Sequence, residues 1–171
     1  AEVTADPAKL RAADRIILPG VGAFGDAKRK LEETGLVPLL KEEAQKKPFL
    51  GICLGMQLLF EKSFEYGEHE GLGFVSGEVV DLREDLTDQT LKVPHMGWNS
   101  VNLSKPDHPL TVGLAEDARF YFVHSYHAVM ENDAHVFMTC DYGGDFPAAV
   151  CKGNVFGTQF HPEKSHRFGK C

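Results

Sequence analysis

A cysteine set between two glycines, and a histidine two residues before a glutamate, are the parts of this chain that could make and break an acyl bond. The cysteine is Cys53, in Gly51-Ile52-Cys53-Leu54-Gly55; the pair is His161 and Glu163, in Gln159-Phe160-His161-Pro162-Glu163. A thiol at a sharp strand-to-helix turn, with glycine two positions away on either side, has the layout of a nucleophile elbow. Flanking glycines let backbone approach without a Cβ clash. A helix starting at the cysteine is expected to lower its pKa through free N–H groups and the helix dipole. Leu54, as the next residue, can offer its N–H to a developing oxyanion. The plainer alternative is a buried packing cysteine, because free cysteine is among the most buried residue types.

A thiol nucleophile needs a base. Pro162 biases His161 away from helix, so His161 and Glu163 fall on one face of an extended segment. Glu163 can then hold one imidazole nitrogen and leave the other for the thiol, the arrangement of a nucleophile, base and orienter. A strand-end histidine with a solvated glutamate is the bland counterpart. The turn Pro19-Gly20-Val21-Gly22 ends the first strand and could supply further oxyanion N–H groups, or do nothing. A phosphate cradle would need Gly-Lys-Ser/Thr after the turn, and none follows.

Positioning these groups requires a sheet. Residues 15–18 and 48–53 are short apolar runs, and the segment 26–47 between them has helical periodicity with breaks near Gly35 and Pro38. Residues 54–61 read as a helix following directly on Cys53. Strand, helix and strand in that order imply a parallel unit, whose C-terminal strand ends share one edge of the sheet. The second half changes character, with strand-like runs at 78–82, 98–103, 120–126, 136–140, 147–152 and 155–160. Gly153-Asn154 separates the last two as a two-residue hairpin turn. The expectation is a single α/β domain over residues 1–171, its sheet mainly parallel with antiparallel additions.

A net charge of −7 argues against general nucleic-acid binding, which needs a basic face. No run approaches the roughly 20 apolar residues of a membrane span, and the N-terminus lacks the layout of a signal peptide. A soluble, cytoplasmic protein is expected. Of the four cysteines, Cys140 and Cys151 lie in apolar runs that suggest packing, and Cys171 is terminal. His124 and His127 invite a metal reading, but no Cys or carboxylate cluster is spaced to complete four ligands. Neither a metal nor a cofactor is expected.

The ordered segments PGVGAFG (19–25), GICLGMQLLFEKS (51–63), PHMGWN (94–99), YFVHSY (121–126) and GTQFHPEKS (157–165) resemble the class I, triad-type glutamine amidotransferases. More narrowly, they resemble the glutaminase subunits of imidazole glycerol phosphate synthases of histidine biosynthesis. The resemblance runs from about Val3 to Ser165 and implies a three-layer, flavodoxin-like fold. It implies Cys53 as nucleophile, His161 as general base and acid, and Glu163 as orienter, with Gly20, Val21 and Leu54 around the oxyanion. Gly55, Gln57, Glu65, Ser125 and Tyr126 match positions that hold glutamine. Pro94, His95, Met96, Gly97, Trp98, Asn99, Tyr121 and Lys164 match positions facing a (β/α)₈-barrel cyclase partner, which receives the ammonia. The family's first strand with its helix, and its last helix, are not present here. The resemblance therefore implies a chain truncated at both ends, less stable and less active than a full-length subunit. Two other readings remain: a class I glutaminase serving anthranilate, guanylate or aminodeoxychorismate synthesis, and a catalytically silent interaction subunit.

Overall fold

The computed structural model describes residues 1–115 and 117–170, so Cys171 lies outside the described residues. The first part runs α1 (Pro7–Ala12), β1 (Ile16–Gly20), α2 (Phe24–Glu33), α3 (Val37–Glu43), β2 (Phe49–Cys53) and α4 (Leu54–Gln57). Then come β3 (Lys62–Ser63), β4 (His69–Glu70), β5 (Gly77–Asp81) and α5 (Leu82–Asp85). The remainder is mostly strand: β6 (His95–Ser100), β7 (Asn102–Leu103), β8 (Arg119–His124), β9 (Tyr126–Met130), β10 (Val136–Asp141), β11 (Asp145–Lys152) and β12 (Val155–Thr158). Short 3₁₀ turns at Pro162–Lys164 and His166–Lys170 follow.

The main sheet has the order β1-β2-β12-β11-β10-β7. Parallel pairing is confined to β1–β2 and β2–β12, and the other three pairs are antiparallel. The sheet is therefore mixed, with a smaller parallel part than the sequence suggested, because the second half folds back through hairpins. Lys152 pairs with Val155 across Gly153-Asn154, and Gly153 takes the positive φ of 60° that such a turn requires. A second sheet is ordered β4-β3-β5-β9, and β6 pairs with β8 apart from both. β1 forms one edge of the main sheet, where Ile17 is 55% exposed.

Two elements differ from the sequence reading in instructive ways. The expected strand over 98–103 divides into β6 and β7, which join different sheets. The expected helix over 54–61 stops at Gln57. Its next carbonyls are taken by a returning segment: Leu58 O accepts from Leu72 N, Leu59 O from Phe74 N, and Phe60 O from Gly73 N. Those oxygens are then no longer free to extend the helical ladder.

One apolar cluster packs on the parallel strands and another on the antiparallel ones. Leu36, Leu39 and Leu40 pack with Ile16, Phe49, Met56 and Val155. Phe120, Phe122, Phe146 and Phe160 form a second cluster that ties β8 to the antiparallel strands. Each fully buried phenylalanine contributes roughly 1.5–3 kcal/mol, so the core holds the C-terminal ends of β2 and β12 in fixed register.

Candidate active site

Cys53 ends β2 and has φ 53° and ψ −113°, outside the regions an L-residue ordinarily occupies. Strain of this kind persists only where the surroundings enforce it, and here glycines do so. A Cβ on Gly51 would lie 2.5 Å from Gly55 O, and one on Gly55 would collide with the Leu18 carbonyl of β1. One on Gly20 would lie 2.9 Å from Gly55 N. The Pro19–Gly22 turn is thus pressed against the elbow, and Gly20 is in register with Cys53. Leu54, the following residue, gives its backbone N–H to the sulfur. Gly55 itself serves close packing of helix against strand.

His161 arrives at the same sheet edge because β12 runs parallel to β2, with Thr158 opposite Ile52. Strand β8 holds both groups: Val123 O lies 3.9 Å from Cys53 Sγ, and Tyr121 O accepts from His161 N at 2.9 Å. Ser165, fully buried, fastens this junction by donating to His161 O at 2.6 Å and accepting from Tyr121 N at 3.1 Å. The His161 ring places Nδ1 2.7 Å from Glu163 Oε1. A carboxylate oxygen only accepts, so Nδ1 carries the proton and the lone pair sits on Nε2. Nε2 is buried without a hydrogen-bond partner among the described residues.

The electrostatics correct one expectation. Burial pushes the Cys53 thiol up to about 11, with the Glu163 charge adding to the rise. The Leu54 N–H, the Lys164 ammonium and a Gln159 hydrogen bond pull the other way and are outweighed. The four-residue α4 is too short for its dipole to overcome desolvation. At neutral pH the Cys53 thiol therefore keeps its proton.

The expected substrate-contact positions are dispersed around the elbow. Gln57 is buried, and its amide Nε2 donates to Tyr126 O at 2.9 Å and to Gln159 Oε1 at 3.1 Å. Glu65 accepts from Phe24 N at 2.6 Å, clasping the β3–β4 hairpin to the start of α2, and burial raises its pKa. It lines a cavity of about 660 Å³ with Tyr66, Lys28 and His69. Cys53, only 7% exposed, does not line it. Ser125 and Tyr126, half-buried, lie at the break between β8 and β9.

Of the expected partner-facing residues, Pro94, Met96 and Trp98 are exposed on the open side of β6. Trp98 packs edge-on to Tyr121 at 5.9 Å and stacks on His166 at 5.0 Å, and the Lys164 ammonium lies 5.8 Å from the Tyr121 ring. Val21 is 79% exposed on its own turn. Alternation turns His95, Gly97 and Asn99 the other way. The His95 side chain is buried between Phe122 and Tyr142. Asn99 donates to Asp141 O at 3.2 Å.

Among the described residues no group of three or more His, Cys, Asp or Glu is placed to hold a metal ion. His124 instead directs Nδ1 at Tyr126 O and Nε2 at His95 Nδ1, while His127 lies 2.8 Å from Asp85. No helix among the described residues is long and apolar enough to cross a membrane. Sequence reasoning passed over Gln159 and Ser165. A polar residue inside an apolar strand was the available signal for the first; nothing local marks the second.

The chain is similar to known proteins over nearly its whole length. The chain is 51% identical over 168 residues to the imidazole glycerol phosphate synthase subunit HisH of Sulfurimonas denitrificans, covering 98% of this chain and 80% of the relative. It is 50% identical over 170 residues to the subunit of the same name in Rhodopirellula baltica, covering 99% and 80%. In three dimensions it resembles a crystal structure described as a glutamine amidotransferase, with TM-score 0.68 and 20% identity, covering 99% of this chain and 82% of that one. The glutaminase domain of Trypanosoma brucei CTPS with bound acivicin has the same fold at TM-score 0.60 and 18% identity, covering 92% and 66%. A family model described as "Glutamine amidotransferase class-I" matches residues 1–170. The chain belongs to the class I glutamine amidotransferases and, within them, to the glutaminase subunits of imidazole glycerol phosphate synthase.

Proposed function

We infer that Cys53, His161 and Glu163 form the glutaminase triad, that glutamine is the substrate, and that the ammonia passes to a (β/α)₈-barrel cyclase. The observation that carries this reading is the His161–Glu163 pair, with a free buried Nε2, at the sheet edge that presents Cys53 on a strained elbow. The thiol proton moves to His161 Nε2 as sulfur attacks the carboxamide carbon. Glu163 stabilises the imidazolium and holds its tautomer. The oxyanion is met by the Leu54 N–H and by N–H groups of the Pro19–Gly22 turn, Gly20 and Val21 among them. His161 returns the proton to the departing nitrogen, ammonia leaves, and a γ-glutamyl thioester remains. Water, deprotonated by the same imidazole, adds to the thioester carbon. The thiolate leaves, is reprotonated, and glutamate is released.

A closed, neutral thiol supports weak turnover by the isolated subunit. Docking of the barrel on Pro94, Met96, Trp98, Tyr121 and Lys164 would act on the site along a short path, since Tyr121 O holds His161 N and Lys164 follows Glu163 in sequence. Glutamine hydrolysis measured with and without a barrel cyclase and its ribonucleotide ligand tests the assignment. Stimulation abolished by Cys53→Ala is expected. Equal turnover by wild type and Cys53→Ala would remove Cys53 from the mechanism, and no turnover under any condition would favour the silent subunit.

A further inference from the structure

Behind the nucleophile lie two buried glutamines whose amides are hydrogen-bonded in one direction only. We propose that Gln159 is a positioning residue for the reaction: locked by Gln57, its amide presents an N–H to Cys53 Sγ and steadies the thiolate while the proton resides on His161. The proposal rests on Cys53 being the nucleophile.

Gln159 is 0% exposed, and a buried amide left without partners is costly. Its orientation follows from a fixed starting point. The Tyr126 carbonyl can only accept, and it faces Gln57 Nε2 at 2.9 Å and His124 Nδ1 at 2.9 Å. Gln57 therefore turns its NH₂ group toward Tyr126, and its second hydrogen reaches Gln159 Oε1 at 3.1 Å. That contact forces the NH₂ of Gln159 to the far side, where it lies 3.9 Å from Cys53 Sγ. Flipping Gln159 would set NH₂ against NH₂ at one end and oxygen against sulfur at the other. From Gln57 to Gln159 to Cys53, the donor of each pair points toward the sulfur.

The chemistry has a use for this donor. The Leu54 N–H also reaches the sulfur, but it is the group needed at the oxyanion once the carboxamide is attacked. Gln159, just beyond the end of β12 and so across β2 from the Pro19–Gly22 turn of β1, has no such second duty. It can stay on the sulfur as the proton leaves for Nε2, and again when the thioester collapses and thiolate is the leaving group. The charged groups bearing on Cys53 are Glu163, whose charge opposes the thiolate, and Lys164, whose charge favours it.

A merely structural glutamine would affect stability and leave the thiol's acidity alone, so the test reads acidity. Alkylation of Cys53 by iodoacetamide is followed by mass spectrometry of its peptide, in the full chain, between about pH 7 and 9. Gln159→Leu is expected to raise the thiol pKa by about one unit. The thiolate fraction then falls tenfold and its greater intrinsic nucleophilicity offsets about threefold, so alkylation slows about threefold at each pH. Gln159→Glu, which places a carboxylate at the sulfur, should slow it further. Glutamine kcat should fall in both with KM little changed. Where Leu lowers the denaturation midpoint into the assay conditions, the nearly isosteric Glu variant decides. Wild-type alkylation rates in a folded variant would overturn the proposal. A Cys53→Ala protein that still hydrolyses glutamine would defeat the nucleophile assignment instead, and it would leave the Gln159 alkylation ratio standing.

Discussion

The resting state of Cys53 leads to a sharp prediction about its reactivity. Burial holds the thiol at about 11, against 9.0 for an ordinary cysteine. At pH 7 a group of pKa 11 is ionised to roughly one part in 10⁴, compared with about one in 10² for the ordinary thiol. Alkylation requires thiolate, so this alone slows the reaction about a hundredfold. A thiolate of higher pKa is a better nucleophile, and with a Brønsted slope of about 0.4–0.5 two units recover roughly tenfold. The free subunit should therefore alkylate at Cys53 about ten times more slowly at pH 7 than the same cysteine in urea-unfolded chain. Restricted access adds to the slowing, but equally at every pH. The decisive feature is the slope: the rate should climb about tenfold per pH unit through pH 9 with no plateau. A plateau below pH 8, or faster reaction than in unfolded chain, would refute the reasoning. It would mean that the imidazole and the helix N-terminus outweigh desolvation and hold a thiolate at rest.

The same structure carries three further predictions. Gly55→Ala should cost at least the roughly 1–3 kcal/mol of an overpacked core and abolish glutamine hydrolysis, because the new Cβ meets the Leu18 carbonyl; a wild-type urea midpoint would contradict this. Ser165→Ala strips Tyr121 N of its acceptor and His161 O of its donor; a loss of about 1–3 kcal/mol in chemical denaturation, with kcat lowered more than KM is raised, is expected. His95 and His124 have folded-state pKa values held down to about 4 and about 3 by burial, from 6.5. The unfolded chain therefore takes up protons first as pH falls, so their contribution is full above about pH 6.5 and is lost on the way down through 4 and 3, by about 3 kcal/mol for His95 alone. Denaturation midpoints measured between pH 7 and 4.5 should drop, and His124→Gln should flatten that drop.

Local pattern made the elbow and the His161–Glu163 pair legible. The glycines at 51 and 55 are required by contacts at the elbow itself, so the pentapeptide announces its own geometry. His161-Pro162-Glu163 does likewise, since the bond between ring and carboxylate spans two residues. What escaped depended on the rest of the chain. Gln159 is tied to Gln57, 102 residues away, and no local pattern chooses that partner. Strand alternation separates His95 from Met96 and Trp98, but only Phe122 and Tyr142 determine which side is inward. The thiol's acidity followed the same rule. A helix start beside a cysteine is visible in sequence, whereas the depth of burial that outweighs it is a property of the packed core.

The central chemical claim is that Cys53 carries a γ-glutamyl group during turnover. Acid quenching of the subunit, bound to a barrel cyclase and its ribonucleotide ligand and turning over glutamine, followed by mass spectrometry of the Cys53 peptide, tests it most directly. A cysteine nucleophile predicts a fraction of that peptide heavier by one glutamyl group, labile to hydroxylamine and absent from Cys53→Ala. Sustained glutamine hydrolysis by Cys53→Ala, or a glutamyl adduct on another residue, would contradict it.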